Sequence, residues 1–233
     1  MNNYGIDIWS DDNFMIEDGL AKINYDCKPS LISIVKDIRK QDFKGPLLLR
    51  FPHITEKQVN TLYNTFNSSI KEYDYKGTFN AVFPLKVNQL PNFIHPLINE
   101  GKKFNYGLEA GSKAELVIAM TYNNVGSPIT VNGFKDKEMI HLGFIAKSMG
   151  HDITLIIEGL NELEMIIEVL NETKMEAPSI GLRVRLHSGG SGLWAKSGGI
   201  NSKFGLTSTE ILEAYELMED NNIVNHLTMI HFH

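Results

Sequence analysis

The stretch KFNYGLEAGSKAEL, residues 103–116, changes from one repeating pattern to another within a few residues. Its first part, KFNYGLEA (103–110), is typical of a strand, whereas Ser112 and Glu115 form the capping-box pattern that opens a helix. The helix then carries apolar residues at Leu116, Val117 and Met120. A strand followed at once by a helix is the repeating unit of parallel α/β proteins, so this stretch predicts one βα unit.

The same alternation recurs along most of the chain. Further strand-like runs are PLLLR (46–50), GTFNAVFPLK (77–86), SPITVNGF (127–134), DITLIIEGL (152–160) and IGLRVRL (180–186). Helical spacing follows these runs, and the helix after PLLLR is predicted to begin behind Thr55. Most runs start about 25 residues apart, which is the pace of successive βα units. Their steady succession favours an α/β protein with a (β/α)8 TIM-type barrel over a doubly wound sheet.

The two ends of the chain add to this picture. NHLTMIHFH (225–233) predicts a further strand, with Leu227, Met229, Ile230 and Phe232 directed to a core. About seven strands are then present, and because seven such strands do not close the barrel, we expect the chain to be the N-terminal part of a longer protein. Residues 1–40 are expected to form an N-terminal β extension that packs on a β-rich region, and residues 41–233 the incomplete barrel.

The composition excludes several classes of protein. The chain has 233 residues, is 42% hydrophobic and carries a formal charge of −6, which suits one large or two small domains and argues against a nucleic-acid partner. No apolar run approaches the ~20 residues of a membrane span, and the first residues lack a signal-peptide pattern. The single cysteine, Cys27, excludes an internal disulfide and a multi-cysteine metal site, which favours a cytoplasmic location.

Polar and ionisable residues stand at the ends of the predicted strands. In a parallel barrel these ends meet at one mouth, where active sites lie. Taken singly, Arg50 can be a rim ion pair, Glu158 a charge at a helix N-terminus, and either terminal histidine a core residue. Taken together, the residues favour a candidate active site. They are Arg50, Lys86, Glu109, Asn132, Glu158, Arg183 with Arg185, and His231 with His233.

Lys86, which ends the apolar run AVFPL (81–85), has two interpretations. Either the strand emerges into water and the ammonium is solvated, or the lysine is held in a pocket where its amine forms an imine with a carbonyl cofactor. The second interpretation requires partial desolvation, because an ordinary lysine has a pKa of about 10.4 and little free amine at neutral pH. Burial of the apolar run is expected to supply that desolvation.

Two further motifs do not define a site. GGSGLWAKSGG (189–199) nearly matches a phosphate-binding loop, but Ala195 stands where the second glycine is required, which leaves a mobile active-site loop or a linker. The histidines lack metal-ligand spacing, and His231 and His233 share a strand face without a third ligand. No metal-ligating residue is therefore assigned.

Several motifs, in order, resemble the biosynthetic arginine decarboxylase family. They are YGIDIWSDDNF, PLLLRFPHI, YDYKGTFNAVFPLKVNQ, YGLEAGSKAEL, SKFGL and HFH. The resemblance runs over essentially all 233 residues, and the opening is closer to this family than to neighbouring decarboxylases. It implies the alanine-racemase-like barrel fold that binds pyridoxal 5'-phosphate (PLP), which ornithine and diaminopimelate decarboxylases share.

The resemblance also implies roles for individual residues. Lys86, in FPLKVNQ, matches the lysine that holds PLP as an internal aldimine, and Glu109, in GLEAGSK, matches an acidic position beside the cofactor. Arg183, in GLRVRL, matches an arginine near the ring, with Arg185 as the alternative counterpart. His233 matches the histidine that stacks on the pyridine ring.

The activity that the resemblance implies is PLP-dependent decarboxylation of L-arginine to agmatine and CO2, in polyamine and spermidine biosynthesis. It also suggests Mg2+ as a further cofactor, and a homo-oligomer, because part of the site in this superfamily comes from a second subunit. The chain alone is expected to be inactive. Two alternatives stay open: another PLP barrel decarboxylase, of the diaminopimelate or ornithine type, and a non-catalytic regulatory homologue.

Overall fold

The computed structural model describes residues 5–186 and 204–232. The chain divides into two compact units, Met1–Ile54 and Thr55–His233. The first unit contains an antiparallel pair of strands and two helices: α1 Ile6–Trp9, β1 Phe14–Glu17, β2 Leu20–Ile23 and α2 Leu31–Lys40. The predicted boundary between residues 40 and 41 falls directly after α2.

The hairpin of the first unit turns at Asp18 and Gly19, both of which have positive φ angles, 53° and 73°. Glycine and aspartate are among the residues that adopt this conformation at least cost. Ser30 caps α2, because its side chain accepts a hydrogen bond from the N–H of Ser33 at 3.1 Å. The expected N-terminal strands are therefore present, and the packing of residues 1–40 on a β-rich region stays a prediction.

The prediction that PLLLR (46–50) forms the first strand of the sheet is wrong. Burial alternates along this segment, with Leu48 73% exposed between two half-buried neighbours, but it pairs with no described strand. A period-two pattern reports an extended backbone and not the hydrogen bonds to a neighbour that make it a strand. Arg50 consequently follows no strand. The next helix begins at Pro52, earlier than the predicted cap at Thr55, because proline suits the first helical turn.

The second unit is built on a six-stranded parallel sheet. The order of its strands follows the chain without reversal, whereas a doubly wound sheet reverses its order part-way. The α/β fold class with a barrel-type strand order is therefore confirmed, with six described strands in place of about seven. The strands are β3 Val82–Pro84, β4 Gly107–Ala110, β5 Pro128–Val131, β6 Asp152–Ile157, β7 Ser179–Arg183 and β8 Leu227–His231. The helices are α3 Pro52–Glu72, α4 Pro91–Gly101, α5 Lys113–Tyr122, α6 Lys137–Ser148, α7 Leu160–Thr173 and α8 Ser208–Asp220.

Helices cover one face of this sheet. Leu108, Leu155 and Leu182 are buried on that face, and α6 approaches it so closely that a Cβ atom on Gly143 would lie 2.9 Å from Leu155. The other face carries residues offset by one position, such as Ile156, which is also completely buried. Burial on both faces explains why the middle strands read as continuous apolar runs.

Strand β8 is less buried than its sequence predicts. Ile230 is 58% exposed and Phe232 is 64% exposed, whereas Leu227 and Met229 are half-buried. The expected core position of all four residues is therefore wrong for two of them. In the described part of the chain β8 pairs with β7 alone, so one of its edges and part of one face stay uncovered.

Helix α8 begins with a complete capping box. The N–H of Thr207 donates to the Glu210 carboxylate at 2.7 Å, and the Thr207 hydroxyl accepts from the N–H of Glu210 at 3.3 Å. We expect Thr207→Ala to lower the free energy of unfolding by about 1 kcal/mol, because it leaves the first-turn N–H of Glu210 without its acceptor. Urea unfolding measures the loss, and Thr209→Ala, at an exposed position in the same turn, is the control. Equal stability of the two variants would contradict a role for the cap.

Candidate active site

Residues at the carboxyl ends of several strands share one face of the sheet. Pairing in register aligns neighbouring residues, so partners across parallel strands point to the same side. Glu109 pairs with Pro84 of β3 and with Thr130 of β5. Arg183 pairs with His231 of β8. The face opposite the helices therefore carries polar groups toward its carboxyl edge, as the predicted mouth of a barrel requires.

Lys86 lies in a turn just beyond β3. The N–H of Val87 donates to the carbonyl of Pro84 at 3.0 Å, and this turn carries Lys86 off the sheet. Leu85 is completely buried, but Lys86 is exposed, so the prediction that the apolar run desolvates its amine is wrong. Across residues 5–186 and 204–232, Lys86 Nζ has no hydrogen-bond or ion-pair partner.

Glu109 lies beside this turn. The N–H of Leu85 donates to the backbone carbonyl of Glu109 at 3.0 Å, so the residue before Lys86 is bonded directly to β4. The Glu109 side chain is half-buried, and its carboxylate accepts no hydrogen bond from the described residues. An amine and a carboxylate, both without a protein partner in the described chain, thus stand at neighbouring strand ends.

Glu115 connects the loop after β3 to the loop after β4. Its carboxylate accepts from Gln89 Nε2 at 3.0 Å and from the N–H of Gly111 at 2.7 Å. Ser112 caps the helix as predicted, by accepting from the N–H of Glu115 at 3.3 Å. The Glu115 side chain, in contrast, does not complete the predicted capping box, because it bonds to Gly111. This buried carboxylate fixes the loop that follows Lys86, a role that sequence reasoning missed.

Glu158 and Arg183 form an ion pair at the same edge. Glu158 Oε1 accepts from Arg183 Nη1 at 2.9 Å and from the N–H of Gly133 at 3.1 Å. Both side chains are largely buried, at 12% and 14% exposed. The Arg183 guanidinium also lies 5.1 Å from the centre of the Phe204 ring. Asn132, the remaining predicted residue here, accepts from the same Gly133 N–H at 2.9 Å.

Arg185 has a different environment. Its Nη2 and Nε donate to the carbonyl of Gly205 at 2.9 and 3.2 Å, so its guanidinium holds the backbone before α8. Arg183, in contrast, is paired within the polar face of the sheet. The two arginines that the sequence left as alternatives thus have different partners.

A buried lysine, Lys135, was missed by sequence reasoning. It is completely buried, and its Nζ lies 3.0 Å from Glu162 Oε2 and donates to the carbonyl of Gly133 at 2.5 Å. Burial lowers the pKa of Lys135 below its ordinary value, although the carboxylates of Glu162 and Glu158 oppose this change. The signal in the sequence was the position of Lys135 soon after the buried strand β5, together with two carboxylates, Glu158 and Glu162, that lie four positions apart after β6.

Two predicted features, His233 and the segment 189–199, lie outside the described residues. Among the residues that are described, no three His, Cys, Asp or Glu side chains cluster as metal ligands. No helix in the same residues combines the length and the apolar character that a membrane span requires.

Comparison with known proteins places this geometry in a family. Residues 57–233 match the model of the pyridoxal-dependent decarboxylases, pyridoxal binding domain. The chain belongs to this family. The predicted resemblance is confirmed as well, because the biosynthetic arginine decarboxylases of Bacteroides thetaiotaomicron and Prochlorococcus marinus are 42% and 36% identical over 204 and 239 residues.

Solved structures of pyridoxal-dependent decarboxylases agree with this assignment. A crystal structure of the biosynthetic arginine decarboxylase from Campylobacter jejuni is 57% identical, with a TM-score of 0.91 over 100% of this chain. The diaminopimelate decarboxylase of M. jannaschii is 22% identical with a TM-score of 0.69, a likeness that concerns the fold alone.

The chain is shorter than its relatives. It covers 87% and 100% of its own length in the two sequence matches, but only 32% and 37% of those proteins. It also covers 37% of the C. jejuni chain. The chain thus spans about a third of the length of the arginine decarboxylases that it matches.

Proposed function

We propose that this chain is the PLP-binding part of an enzyme that decarboxylates L-arginine to agmatine and CO2. The placement of Lys86 beside Glu109 at the carboxyl edge of the sheet carries the proposal, and its amine has no partner in the described chain. The substrate is inferred from relatives named arginine decarboxylase at 36–57% identity.

The side chains at this edge fit PLP by their chemistry. A primary amine at Lys86 suits the aldehyde of the cofactor, and the proposed neighbours are the Glu109 carboxylate, the Arg183 guanidinium and His233. When bound, PLP supplies an electron-poor ring that takes up the electron pair left as CO2 departs. Lys86 would hold the cofactor, and His233, outside the described residues, would stack on the ring.

The described residues prepare the site in three ways. The Lys86 amine would not have to break an ion pair to hold the cofactor, because it has none in the described chain. The Glu109 carboxylate accepts no hydrogen bond there, which leaves it available to orient or neutralise a nearby cationic nitrogen. Arg183 is already oriented, since Glu158 holds one side of its guanidinium at 2.9 Å.

Further features of the proposal rest on the family resemblance. We propose a homo-oligomer, a dimer or larger, with Mg2+ as a second cofactor and a role in cytoplasmic polyamine and spermidine biosynthesis. No nucleic-acid or membrane partner is proposed. Size measurement on the full-length product of the gene, with and without Mg2+, tests the first two statements, and a strictly monomeric active enzyme would contradict the first.

A substrate panel tests the proposed reaction. The full-length product of the gene, loaded with PLP, is offered L-arginine, L-ornithine, L-lysine and meso-diaminopimelate, and CO2 release and agmatine are measured. We expect kcat/KM for L-arginine to exceed that for the others by about a hundredfold, because a site built to bond the guanidinium leaves polar groups unpaired with shorter substrates. A faster reaction with diaminopimelate or ornithine would show that L-arginine is not the substrate and that the faster-reacting compound is. Cofactor binding without any decarboxylation would favour the regulatory homologue.

A further inference from the structure

The buried pair of Lys135 and Glu162 adjoins the Glu158–Arg183 ion pair, because Glu162 accepts from the N–H of Glu158. Lys135 is fully buried, and Glu162 is 2% exposed. Taking two charges out of water costs several kcal/mol for each ion, and apolar residues of similar volume often stabilise a core equally well. Stability alone therefore does not explain this pair, and its hydrogen bonds suggest another use.

The charged atoms of the pair bond to the backbone at Glu158, Lys135 and Gly133. Glu162 Oε2 accepts from the N–H of Glu158 at 2.8 Å, and Glu162 Oε1 accepts from the N–H of Lys135 at 2.9 Å. Lys135 Nζ donates to the carbonyl of Gly133 at 2.5 Å. The pair thus joins the loop after β5 to the end of β6.

The hydrogen bonds continue from this loop to Arg183. The N–H of Gly133 donates to Glu158 Oε1 at 3.1 Å, and the same oxygen accepts from Arg183 Nη1 at 2.9 Å. Gly133 has a φ of 92°, a conformation that other residues rarely adopt, so its N–H direction depends on this particular loop shape. The orientation of Arg183 therefore depends on Glu158, and that of Glu158 depends on the loop which Lys135 and Glu162 hold.

We propose that Lys135 and Glu162 are positioning residues that hold Glu158 so that it presents Arg183 to the cofactor. The inference rests on the proposed function, because the place of Arg183 near PLP is itself part of that proposal. The charges of the four side chains are balanced, two positive and two negative, so Glu158 pairs with Arg183 without leaving a buried charge uncompensated.

The test removes both buried charges and keeps the volume. The variant Lys135→Met/Glu162→Leu is compared with Lys137→Met/Glu172→Leu, which removes an exposed ion pair of 2.6 Å between α6 and α7. The dissociation constant for PLP is measured by titration of the visible absorption band. Urea unfolding is measured for every variant.

We expect the buried double variant to bind PLP about tenfold more weakly, which is the size of effect that coupled contacts have. It should also unfold at a lower urea concentration, because the N–H groups of Glu158 and Lys135 lose their acceptor. The exposed double variant is expected to bind as the wild type does. In an Arg183→Gln background, the buried double substitution is expected to cause no further loss, because its effect passes through Arg183. A merely structural role would weaken binding in both backgrounds.

Unchanged affinity in the buried double variant, or an equal further loss in the Arg183→Gln background, would overturn the proposal. If the double variant does not fold, Glu162→Gln replaces it, since it keeps the shape and removes one charge, with the same expectation. If the wild-type protein binds no PLP, the proposed function fails. Hydrogen exchange of the Arg183 guanidinium, followed by NMR, then decides the positioning role: faster exchange in the variant supports it, and equal exchange contradicts it.

Discussion

Replacing Lys86 with alanine is expected to abolish the covalent attachment of PLP to this protein. The visible absorption band should disappear, and borohydride reduction should leave no cofactor on the chain. Other lysines of the described sheet edge are engaged, since Lys135 is buried against Glu162 at 3.0 Å and Lys113 bridges Asp136 at 2.7 Å. Neither offers a free amine to the aldehyde without breaking an ion pair.

Lys76→Ala is the matched control for this experiment. Lys76 is an exposed lysine that pairs with Asp74 and lies away from the carboxyl ends of the strands. Its variant should retain the full band after free PLP is removed. A band of wild-type intensity in Lys86→Ala would contradict the assignment of Lys86 as the lysine that attaches PLP.

The second large effect is expected from Gly107→Ala, at the start of β4. A Cβ atom on Gly107 would lie 1.9 Å from the carbonyl oxygen of Pro128, and backbone atoms cannot rotate away as a side chain can. β4 and β5, which both have neighbours on either side in the sheet, would have to separate. We expect the free energy of unfolding to fall on the order of 3 kcal/mol, measured by urea unfolding.

Gly77→Ala supplies the comparison. The nearest atoms to a Cβ at Gly77 belong to the ring of Tyr75, which is 64% exposed and can turn aside. This variant should stay within about 0.5 kcal/mol of the wild type. If the two alanine variants were equally stable, the close approach of β4 and β5 would not be a constraint on the sequence.

The predictable part of the fold is the part that local pattern encodes. Burial on both faces made the middle strands continuous apolar runs, and short polar segments separated them from helices, so β4 to β7 appear where expected. PLLLR failed because strand pairing depends on a partner that its own residues do not reveal. Lys86 was expected to be partly buried because it directly follows the apolar run 81–85. The turn at residues 85–87, which the apolar pattern does not reveal, leaves it exposed.

The candidate site was predictable in one respect and hidden in another. Polar residues at the ends of parallel strands share an edge by geometry, which is why Glu158 and Arg183 could be grouped before their 2.9 Å contact was known. Lys135 and Glu162 come from a loop and a helix. Their contact follows from the particular backbone of the loop at Gly133, with its positive φ, and no periodic pattern reports such a shape.

The most direct test of the central claim is to locate the cofactor on the chain. The protein is loaded with PLP, reduced with borohydride, freed of excess cofactor and digested, and the labelled peptide is identified by mass spectrometry. The result expected is a single labelled peptide that contains Lys86, in the sequence VFPLKVNQ, at close to one label for each chain. A label on another lysine, or one spread over many lysines, would contradict the account.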